Sequence, residues 1–397
     1  MGESERSFMF KYSVTVFFIV FFLIYGFLNF WIGLRGWQFI GRNISFINPN
    51  VYWLLFLLVA LSFFAGRFGE GILPSEVNHF FTQVGSYWLG FMIYFILVLG
   101  VFEIGRILNR LFHFFTPVAG QNQHLSLLAG LMVVIAVSGT VAYGWWNARN
   151  PQVTHYSITI WKDAGALKDL KVVMVSDLHL GNIVHNGRLL RLVEMIKEQD
   201  PDIVLLPGDV VDENPGPFIE QDMMDTFKQL NPRYGIYAVT GNHEYIGRKS
   251  EEIVHHLQGA GIIVLRDQAV KIADSFYLVG LDDRFQRLSV GGQGRGLKEL
   301  VKGLDQSLPV ILMEHQPSRV GQIPEEGIDL KLSGHTHKGQ LFPFNLITTR
   351  MYAIDWGYLR SGHLQTVVSS GFGTWGPPIR VGSTPEIVKL DIRFSKN

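Results

Sequence analysis

Clusters of carboxylate, imidazole and amide side chains follow short apolar runs at five places in the sequence. The first is typical of the set. Lys171 to Ser176 is a β-branched run of the kind expected for a buried parallel strand, and Asp177 and His179 come directly after it. The five clusters, in chain order, are Asp177-x-His179, Gly208-Asp209-x-x-Asp212, Gly241-Asn242-His243-Glu244, Glu314-His315 and Gly334-His335-x-His337. A single Asp-x-His is a weak signal, but five such clusters in series do not arise by accident.

The side chains in these clusters are those of a metal site. Parallel strands bring their carboxyl ends to one edge of a sheet, so ligands far apart in the sequence would meet there. Carboxylate oxygens, imidazole nitrogens and an amide oxygen together suit Mn²⁺, Fe or Zn²⁺ rather than Cu(I) or Ca²⁺. Gly208, Gly241 and Gly334 would let the backbone turn sharply beside a crowded centre. The sequence therefore predicts a metal centre at the edge of an α/β sheet.

The order of these motifs resembles that of the calcineurin-like metallophosphoesterase family, whose pattern is D-x-H, G-D-x-x-D, G-N-H-D/E, a lone His and G-H-x-H. The resemblance covers Leu170 to the C-terminus and implies a four-layer α/β/β/α sandwich that hydrolyses phosphate ester or pyrophosphate bonds. Within the family, the chain looks most similar to membrane-associated bacterial members, some of which hydrolyse the UDP-2,3-diacylglucosamine precursor of lipid A. The stretches that carry this closer similarity are Gly280-Leu281-Asp282-Asp283 and Gly373-Thr374-Trp375-Gly376-Pro377-Pro378-Ile379-Arg380.

The resemblance also implies roles for individual residues. It assigns one divalent ion to Asp177, His179, Asp209 and His337, and a second ion to Asp209, Asn242, His315 and His335. Asp209 would bridge the two ions, with Mn²⁺ as the first choice of metal and Fe or Zn²⁺ as the others. A hydroxide shared by the ions would attack phosphorus in line. His243, which the resemblance assigns to no metal, would protonate the leaving-group oxygen or stabilise the transition state. Asp212 and Glu244 are expected to orient ligands and loops.

Two basic residues are candidates for contact with the substrate. Lys338 departs from the glycine that commonly stands at this position in similar proteins, and its side chain either faces a phosphate or points to solvent. Arg380 follows Pro377-Pro378 and is either a phosphate clamp or a member of a surface ion pair. Both positions stay open between a substrate role and a surface role.

The elements that must position these residues alternate between strands and helices, as in an α/β domain. Strands are predicted at 153–160, 170–176, 203–206, 234–239, 262–265, 276–279, 310–313, 330–332 and 367–369. Helices are predicted at 188–198, where apolar residues recur at helical spacing, and at 218–230. Residues 284–296, which include four glycines, are expected to form a solvent loop or a flap that admits an acyl chain.

The chain divides near Asn150 into an apolar region, 1–150, and a catalytic domain, 151–397. Four apolar runs, at 12–34, 51–66, 87–108 and 125–146, are predicted to cross a membrane as helices. The first run is too long for the core of a signal peptide, and the second is either a span or a re-entrant element. The four spans predict a multi-pass protein of the cell membrane. Because Lys and Arg are nearly balanced on the two sides of these spans, the sequence leaves open which side of the membrane the catalytic domain faces.

Composition excludes several classes of function. A formal net charge of +0 gives no basic field that would bind nucleic acid. The absence of cysteine excludes thiol catalysis, disulfides and cysteine-based zinc sites. The leading hypothesis is a membrane-anchored, two-metal phosphoesterase that acts on a phosphorylated lipid, a lipid-linked ester or another ester at the surface of the bilayer. The alternatives are a phosphodiesterase with a soluble substrate, a phosphoprotein phosphatase, and a membrane receptor or scaffold that has no catalytic activity.

Overall fold

The computed structural model describes residues 3–114, 123–289, 296–318 and 327–396. The chain forms two compact units, Met1–Tyr143 and Gly144–Asn397, called here the first unit and the second unit. The boundary falls inside the last long helix, so the final turn of that helix belongs to the second unit.

The first unit consists of long apolar helices, as the sequence predicts. They are α1 Glu3–Phe39, α2 Pro49–Gly69, α3 Ser75–Phe112 and α4 Gln123–Ala148. All four are long and apolar enough to cross a membrane. Each helix extends beyond its predicted apolar run. The second run, whose predicted length is marginal, becomes a 21-residue helix, and about 20 residues suffice to cross the hydrocarbon core of a bilayer.

Two polar side chains of the first unit, those of Asn29 and Glu103, are paired. The amide of Asn29, a polar residue within the apolar part of α1, accepts a 2.9 Å hydrogen bond from the indole of Trp88 and donates to the carbonyl of Tyr25. Near one end of α3, Glu103 forms ion pairs with Arg35 at 2.8 Å and with Arg106 at 3.2 Å. These partners satisfy groups that would otherwise be costly to keep in an apolar environment.

The second unit is built on two six-stranded sheets. Its strands are β1 Gln152–Ile160, β2 Asp169–Met174, β3 Ile203–Pro207, β4 Ile236–Val239, β5 Ile262–Val264, β6 Gln268–Ile272, β7 Phe276–Gly280, β8 Val310–Met313, β9 Leu330–Ser333, β10 Gly357–Ser361, β11 Leu364–Val368 and β12 Glu386–Phe394. The strand order is β1-β12-β2-β3-β4-β5 in the first sheet and β10-β11-β9-β8-β7-β6 in the second. The central strands β2, β3 and β4 are parallel, and so are β7, β8, β9 and β11.

The helices of the second unit are α5 Asn186–Glu198, α6 Gly216–Glu220, α7 Met223–Phe227, α8 His243–Ile246, α9 Ser250–Gly259, α10 Arg284–Ser289, α11 Leu297–Val301 and α12 Asn345–Met351. Helices α5, α7 and α9 pack on the first sheet, and α11 packs on the second. Alternate residues of β2 serve two different cores. Val173 packs with the helices of the first sheet, whereas Val172 and Met174 point into the core between the two sheets. A third core lies between the second sheet and α11. These layers form the α/β/β/α sandwich expected from the family resemblance.

The sequence missed or misread several elements. Strands β6, β10 and β12 were not predicted, and β12 lies between β1 and β2, antiparallel to β2. The single helix predicted at 218–230 is two short helices, α6 and α7, which are separated at Asp222, where φ is 52°. In the segment predicted as a loop or flap, Arg284–Ser289 is helical, and residues 290–295 lie outside the described residues.

Candidate metal centre

The predicted metal ligands meet where the carboxyl ends of five strands converge. Strands β2, β3 and β4 of the first sheet lead into the segments of Asp177, Asp209 and Asn242, and β8 and β9 of the second sheet lead into the segments of His315 and His335. Two compact groups of three side chains result, each with its ligand atoms within 4.8 Å of one another. The groups are Asp177, His179 and His337, and Asp209, His315 and His335.

The first group is held by contacts among its own members. The Nε2 atom of His337 lies 3.3 Å from Oδ1 of Asp177 and 3.0 Å from Nε2 of His179. All three side chains are buried. Burial raises the pKa of the Asp177 carboxyl, so its ionised form needs a neighbouring cation to stabilise it. This environment is suited to a bound metal ion.

The second group centres on Asp209. Its Oδ2 atom is 3.1 Å from Nε2 of His315 and 3.8 Å from Nε2 of His179, so this carboxylate lies between the two groups. Burial alone would raise the pKa of Asp209, but the histidines around it, His315 first among them, hold it well below its usual range. The Nδ1 atom of His315 faces the carbonyl of Pro207 at 2.8 Å, which directs Nε2 towards the centre. The bridging role that the resemblance assigns to Asp209 agrees with this position.

Asn242 supplies the test of whether these residues fit a metal ion. Its side-chain oxygen Oδ1 is buried and has no hydrogen-bond partner among the described residues. An orphaned buried amide oxygen is costly unless it binds something, because it has lost its hydrogen bonds to water. A divalent ion is a partner of the right chemistry, since the neighbouring groups are carboxylates and imidazoles. The set of residues therefore fits the two ions that the resemblance implies.

The backbone around the centre is strained and crowded. Five of the predicted ligands adopt a left-handed conformation, with φ of 53° at Asp177, 48° at His179, 52° at Asp209, 73° at His335 and 49° at His337. Each costs about 1 kcal/mol or more for a residue with a side chain, and strain of this kind is concentrated at functional sites.

Glycines make the close packing possible. A Cβ atom at Gly208 would lie 2.6 Å from Nδ1 of His315, and one at Gly241 would collide with Oδ1 of Asp209. At Gly334 it would collide with Oδ2 of Asp177. All three glycines therefore bring the backbone close to a ligand, and Gly208, with φ at 85°, also takes a left-handed conformation.

His243 lies at the edge of the centre and is paired with Asp212. Its Nδ1 atom is 2.8 Å from Oδ1 of Asp212, and its backbone N–H donates to Oδ1 of Asp209 at 2.9 Å. Burial would lower the pKa of His243, but the hydrogen bond to Asp212 and the charges of Asp209, Asp212 and Glu213 raise it to about 9. The imidazole can therefore hold a proton at neutral pH. The ring is also within 4.8 Å of ligand atoms of His179 and Asp209, so its role as a non-ligand stays a prediction.

Glu244 holds the backbone of the loop that follows β3. Its carboxylate accepts hydrogen bonds from the backbone N–H groups of Asp209, Val210, Val211 and Gly241 at 2.6 to 3.1 Å. Burial is the main reason that the pKa of Glu244 rises to about 7. These contacts agree with the loop-orienting role expected for Glu244, which stays a prediction.

The two basic candidates lie in different surroundings. Arg380 is 0% exposed, and its Nη2 atom donates to Nδ1 of His337 at 3.0 Å and to the carbonyl of Gly373 at 2.7 Å. This placement favours a role in positioning His337 over direct contact with a substrate. Lys338 has its Nζ atom 3.6 Å from the centre of the Trp356 ring, in a cation–π contact.

The sequence did not reveal two supports of the centre. Gly371, with φ at 80°, places its backbone where a Cβ would lie 2.7 Å from Cβ of Asp177. Asn147, at the end of α4, donates from its side chain to the carbonyls of Arg380 at 3.0 Å and Ser383 at 2.7 Å. The pair Gly371 and Gly373 near the C-terminus is a signal that could have indicated the first support. Nothing local marks Asn147, because its partners are more than 200 residues away.

Comparison with known proteins agrees with this site. The family model described as Calcineurin-like phosphoesterase matches residues 170–339. The Transmembrane protein with metallophosphoesterase domain of Danio rerio is 30% identical over 361 residues, which are 87% of this chain and 81% of that protein. An Uncharacterized metallophosphoesterase of Helicobacter pylori (strain ATCC 700392 / 26695) is 28% identical, over 87% of this chain and 90% of its own length. The chain belongs to the calcineurin-like metallophosphoesterase family.

Proposed function

We propose that the protein is a membrane-anchored phosphoesterase that uses two divalent metal ions to hydrolyse a phosphate ester at the surface of the bilayer. The observation that carries this proposal is the geometry of the centre. Six predicted ligands from both sheets converge, with Asp209 between the two groups. The buried Oδ1 atom of Asn242, the seventh predicted ligand, has no partner among the described residues.

The chemistry divides between the ions and the residues of the chain. When bound, two divalent ions supply the Lewis acidity that activates a water for in-line attack on phosphorus and stabilises the developing charge. Asp209 holds its carboxylate between the two ligand groups, while Asp212 accepts a hydrogen bond from Nδ1 of His243. With Nδ1 engaged, Nε2 of His243 is the ring nitrogen that can donate a proton to the leaving-group oxygen. The raised pKa of His243 keeps that proton available at neutral pH.

Mn²⁺ is the metal we propose first. The ligand set combines carboxylate and amide oxygens with imidazole nitrogens, and no cysteine is present in the chain to favour softer ions. Fe and Zn²⁺ suit the same set, so substitution of the metal is part of the experiment below.

The proposal of a membrane-surface substrate rests on the end of α4. The backbone N–H of Arg380 donates to the carbonyl of Gly144 at 2.9 Å, and Asn147 donates back to the carbonyl of Arg380. The guanidinium of Arg380 in turn contacts His337. The last turn of an apolar helix is thus two hydrogen-bonding steps from a predicted metal ligand, which supports action on a headgroup in a multi-pass protein of the cell membrane. The closer similarity to UDP-2,3-diacylglucosamine hydrolases remains a prediction.

Metal dependence is the first experiment. The full-length protein, purified in detergent, is assayed on a soluble aryl phosphate ester, then treated with a chelator and reconstituted with Mn²⁺, Fe²⁺ or Zn²⁺. We expect activity to fall at least about 100-fold on chelation and to return with Mn²⁺. Asp209→Asn, treated in the same way, is expected to stay inactive after Mn²⁺ is added. Full activity in the chelator would overturn the two-metal proposal.

A panel of substrates is the second experiment. The same protein is assayed on a lipid-linked phosphate ester in nanodiscs, on nucleotide esters and on a phosphoprotein. We expect the lipid-linked ester to give the highest kcat/KM. A preference for nucleotides or the phosphoprotein would favour the soluble-substrate alternatives. Phosphate binding without turnover of any substrate, in protein loaded with metal, would favour a receptor or scaffold.

A further inference from the structure

An exposed apolar surface follows the turn that carries His337. We call it the α12 surface and define it by six residues, Phe342, Phe344, Leu346, Ile347, Met351 and Trp375. Helix α12 has no buried residue, and its Ile347 and Met351 are 52% and 69% exposed. Single exposed apolar residues are ordinary on a protein surface, but a set of large ones grouped on one element and its neighbours marks an interaction site.

The α12 surface is connected to the end of α4 through Val381. The backbone N–H of Phe342 donates to the carbonyl of Val381 at 2.6 Å, and Leu341 pairs with Val381 in a β-bridge. The side chain of Val381 packs so closely on Gly144 that a Cβ there would lie 2.8 Å from Cγ2 of Val381. Val381 therefore links Phe342, where the surface begins, to Gly144, the residue of α4 at which the second unit begins.

The residues beside this point have the composition of a membrane interface. Trp145 and Trp146 are both exposed, and the guanidinium of Arg149 lies 4.3 Å from the centre of the Trp145 ring. Tryptophan and arginine at the end of an apolar span are typical of the headgroup layer. On α12 itself, Arg350 accompanies the apolar residues and donates to the carbonyl of Leu346. Apolar and basic residues on one short helix match an interfacial helix that lies in the plane of a bilayer.

The surface is also fixed to the candidate metal centre. Gly339, in the turn after His337, lies so close to the backbone of Asn345 at the start of α12 that a Cβ would collide with it. At the other end of α12, the ring of Tyr352 lies 6.4 Å from the ring of His335. The carbonyl of Trp375 accepts a hydrogen bond from the side chain of Gln340. Whatever covers the α12 surface therefore lies against the rim of the centre.

We infer that the α12 surface inserts into the headgroup layer of the bilayer that α4 crosses, and that it holds the metal centre at the depth of a lipid phosphate ester. This inference rests on the proposed function and names its substrate class, a phosphate ester carried on a lipid headgroup. The occupant is the bilayer because the surface is connected through Val381 to the end of α4 and has the composition of an interface. A second copy of the chain or another protein is a different occupant, which the experiment distinguishes.

Depth measurements test the inference in the full-length protein. Because the chain has no cysteine, Ile347→Cys and Met351→Cys each create a single site for a fluorescent label. Ile263→Cys is the matched control, since Ile263 is 46% exposed on β5, at the far edge of the first sheet from β1. In nanodiscs with doxyl-labelled lipids, we expect quenching at 347 and 351 to be about threefold stronger or more than at 263, with the order reversed for iodide in water.

Two results would overturn the inference. If lipid and iodide quench the labels on α12 to the same degree as the label at 263, the surface is open to water. If neither quenches the labels on α12, a protein covers the surface. These readouts do not depend on hydrolysis, so failure of the proposed function would leave the depth result interpretable.

A kinetic experiment tests whether insertion of the α12 surface favours a lipid-linked substrate. Ile347→Glu places a charge on the α12 surface, and Ile263→Glu places the same charge on the control strand. We expect Ile347→Glu to lower the ratio of the rate on a lipid-linked ester to the rate on a soluble ester about fivefold, with no change of this ratio in Ile263→Glu. An unchanged ratio in Ile347→Glu would contradict the assignment of a lipid headgroup as the substrate.

Discussion

Asn147 should be the residue through which the end of α4 stabilises the loop of Arg380. The side chain is 7% exposed, and its amide donates to the carbonyls of Arg380 at 3.0 Å and Ser383 at 2.7 Å. Asn147→Ala removes both donors and leaves two carbonyls without them. Each unsatisfied buried group costs about 1–3 kcal/mol. Taking the lower end for both, we expect a loss of about 2 kcal/mol in the free energy of unfolding.

A thermal melt of the full-length protein measures this loss. For a domain of this size, 1 kcal/mol corresponds to about 2–4 °C in Tm, so Asn147→Ala should melt about 4–8 °C below the wild type. The matched control is Asn150→Ala, because the side chain of Asn150 donates to the carbonyl of Trp146, a local contact at the end of α4. A substitution at such a local contact should cost no more than about 0.5 kcal/mol.

The same variant should weaken metal binding. Arg380 donates to Nδ1 of His337, so a loosened Arg380 loop holds that predicted ligand less firmly. Loss of support around a ligand typically lowers metal affinity about 10-fold or more, and titration with Mn²⁺ measures it. If Asn147→Ala and Asn150→Ala melt at the same temperature, the reasoning that joins α4 to the Arg380 loop is refuted.

Two further predictions concern the chemistry and the packing of the centre. Asp212→Asn removes the hydrogen-bonded anion among the three that raise the pKa of His243 to about 9, so the fall in kcat at alkaline pH should move towards the ordinary histidine pKa of about 6.5. The pH profile of kcat on a soluble aryl ester measures this, and an unmoved alkaline limb would exclude His243 as the acid. Gly241→Ala should lose most of the bound metal, because its Cβ would collide with Asp209, and Gly303→Ala, whose Cβ meets nothing within 4 Å, should lose none. Metal analysis of the two variants checks this, and equal metal content would contradict the crowding argument.

The sequence was informative about the centre because its strands are short, parallel and buried. Val172, Val204 and Ile311 lie in apolar runs with a ligand cluster at the carboxyl end, and parallel pairing brings such ends together. The order of the motifs then indicated the family, and with it the sandwich. The glycines were read correctly for a physical reason, since only a residue without Cβ fits beside Asp209 or His315.

The sequence was less informative where distant parts of the chain decide the structure. Strand β12 pairs with β2 across more than 200 residues, and no ligand cluster at its end drew attention to it. For Arg380, the sequence left open a substrate role and a surface role. The fold instead buries its guanidinium against two carbonyls, those of Gly371 and Gly373, and against the ring of His337. The break between α6 and α7 depends on a left-handed Asp222, which helical periodicity does not predict.

The number of metal ions per chain tests the central claim most directly. The full-length protein is stripped of metal, reconstituted with Mn²⁺, freed of excess ion and analysed by mass spectrometry together with Asp209→Asn and His243→Asn. We predict two ions in the wild type, neither ion retained in Asp209→Asn, and two ions in His243→Asn with kcat lowered about 10²- to 10⁴-fold. Fewer than two ions in the wild type, or an empty site in His243→Asn, would contradict the assignment of ligands and acid.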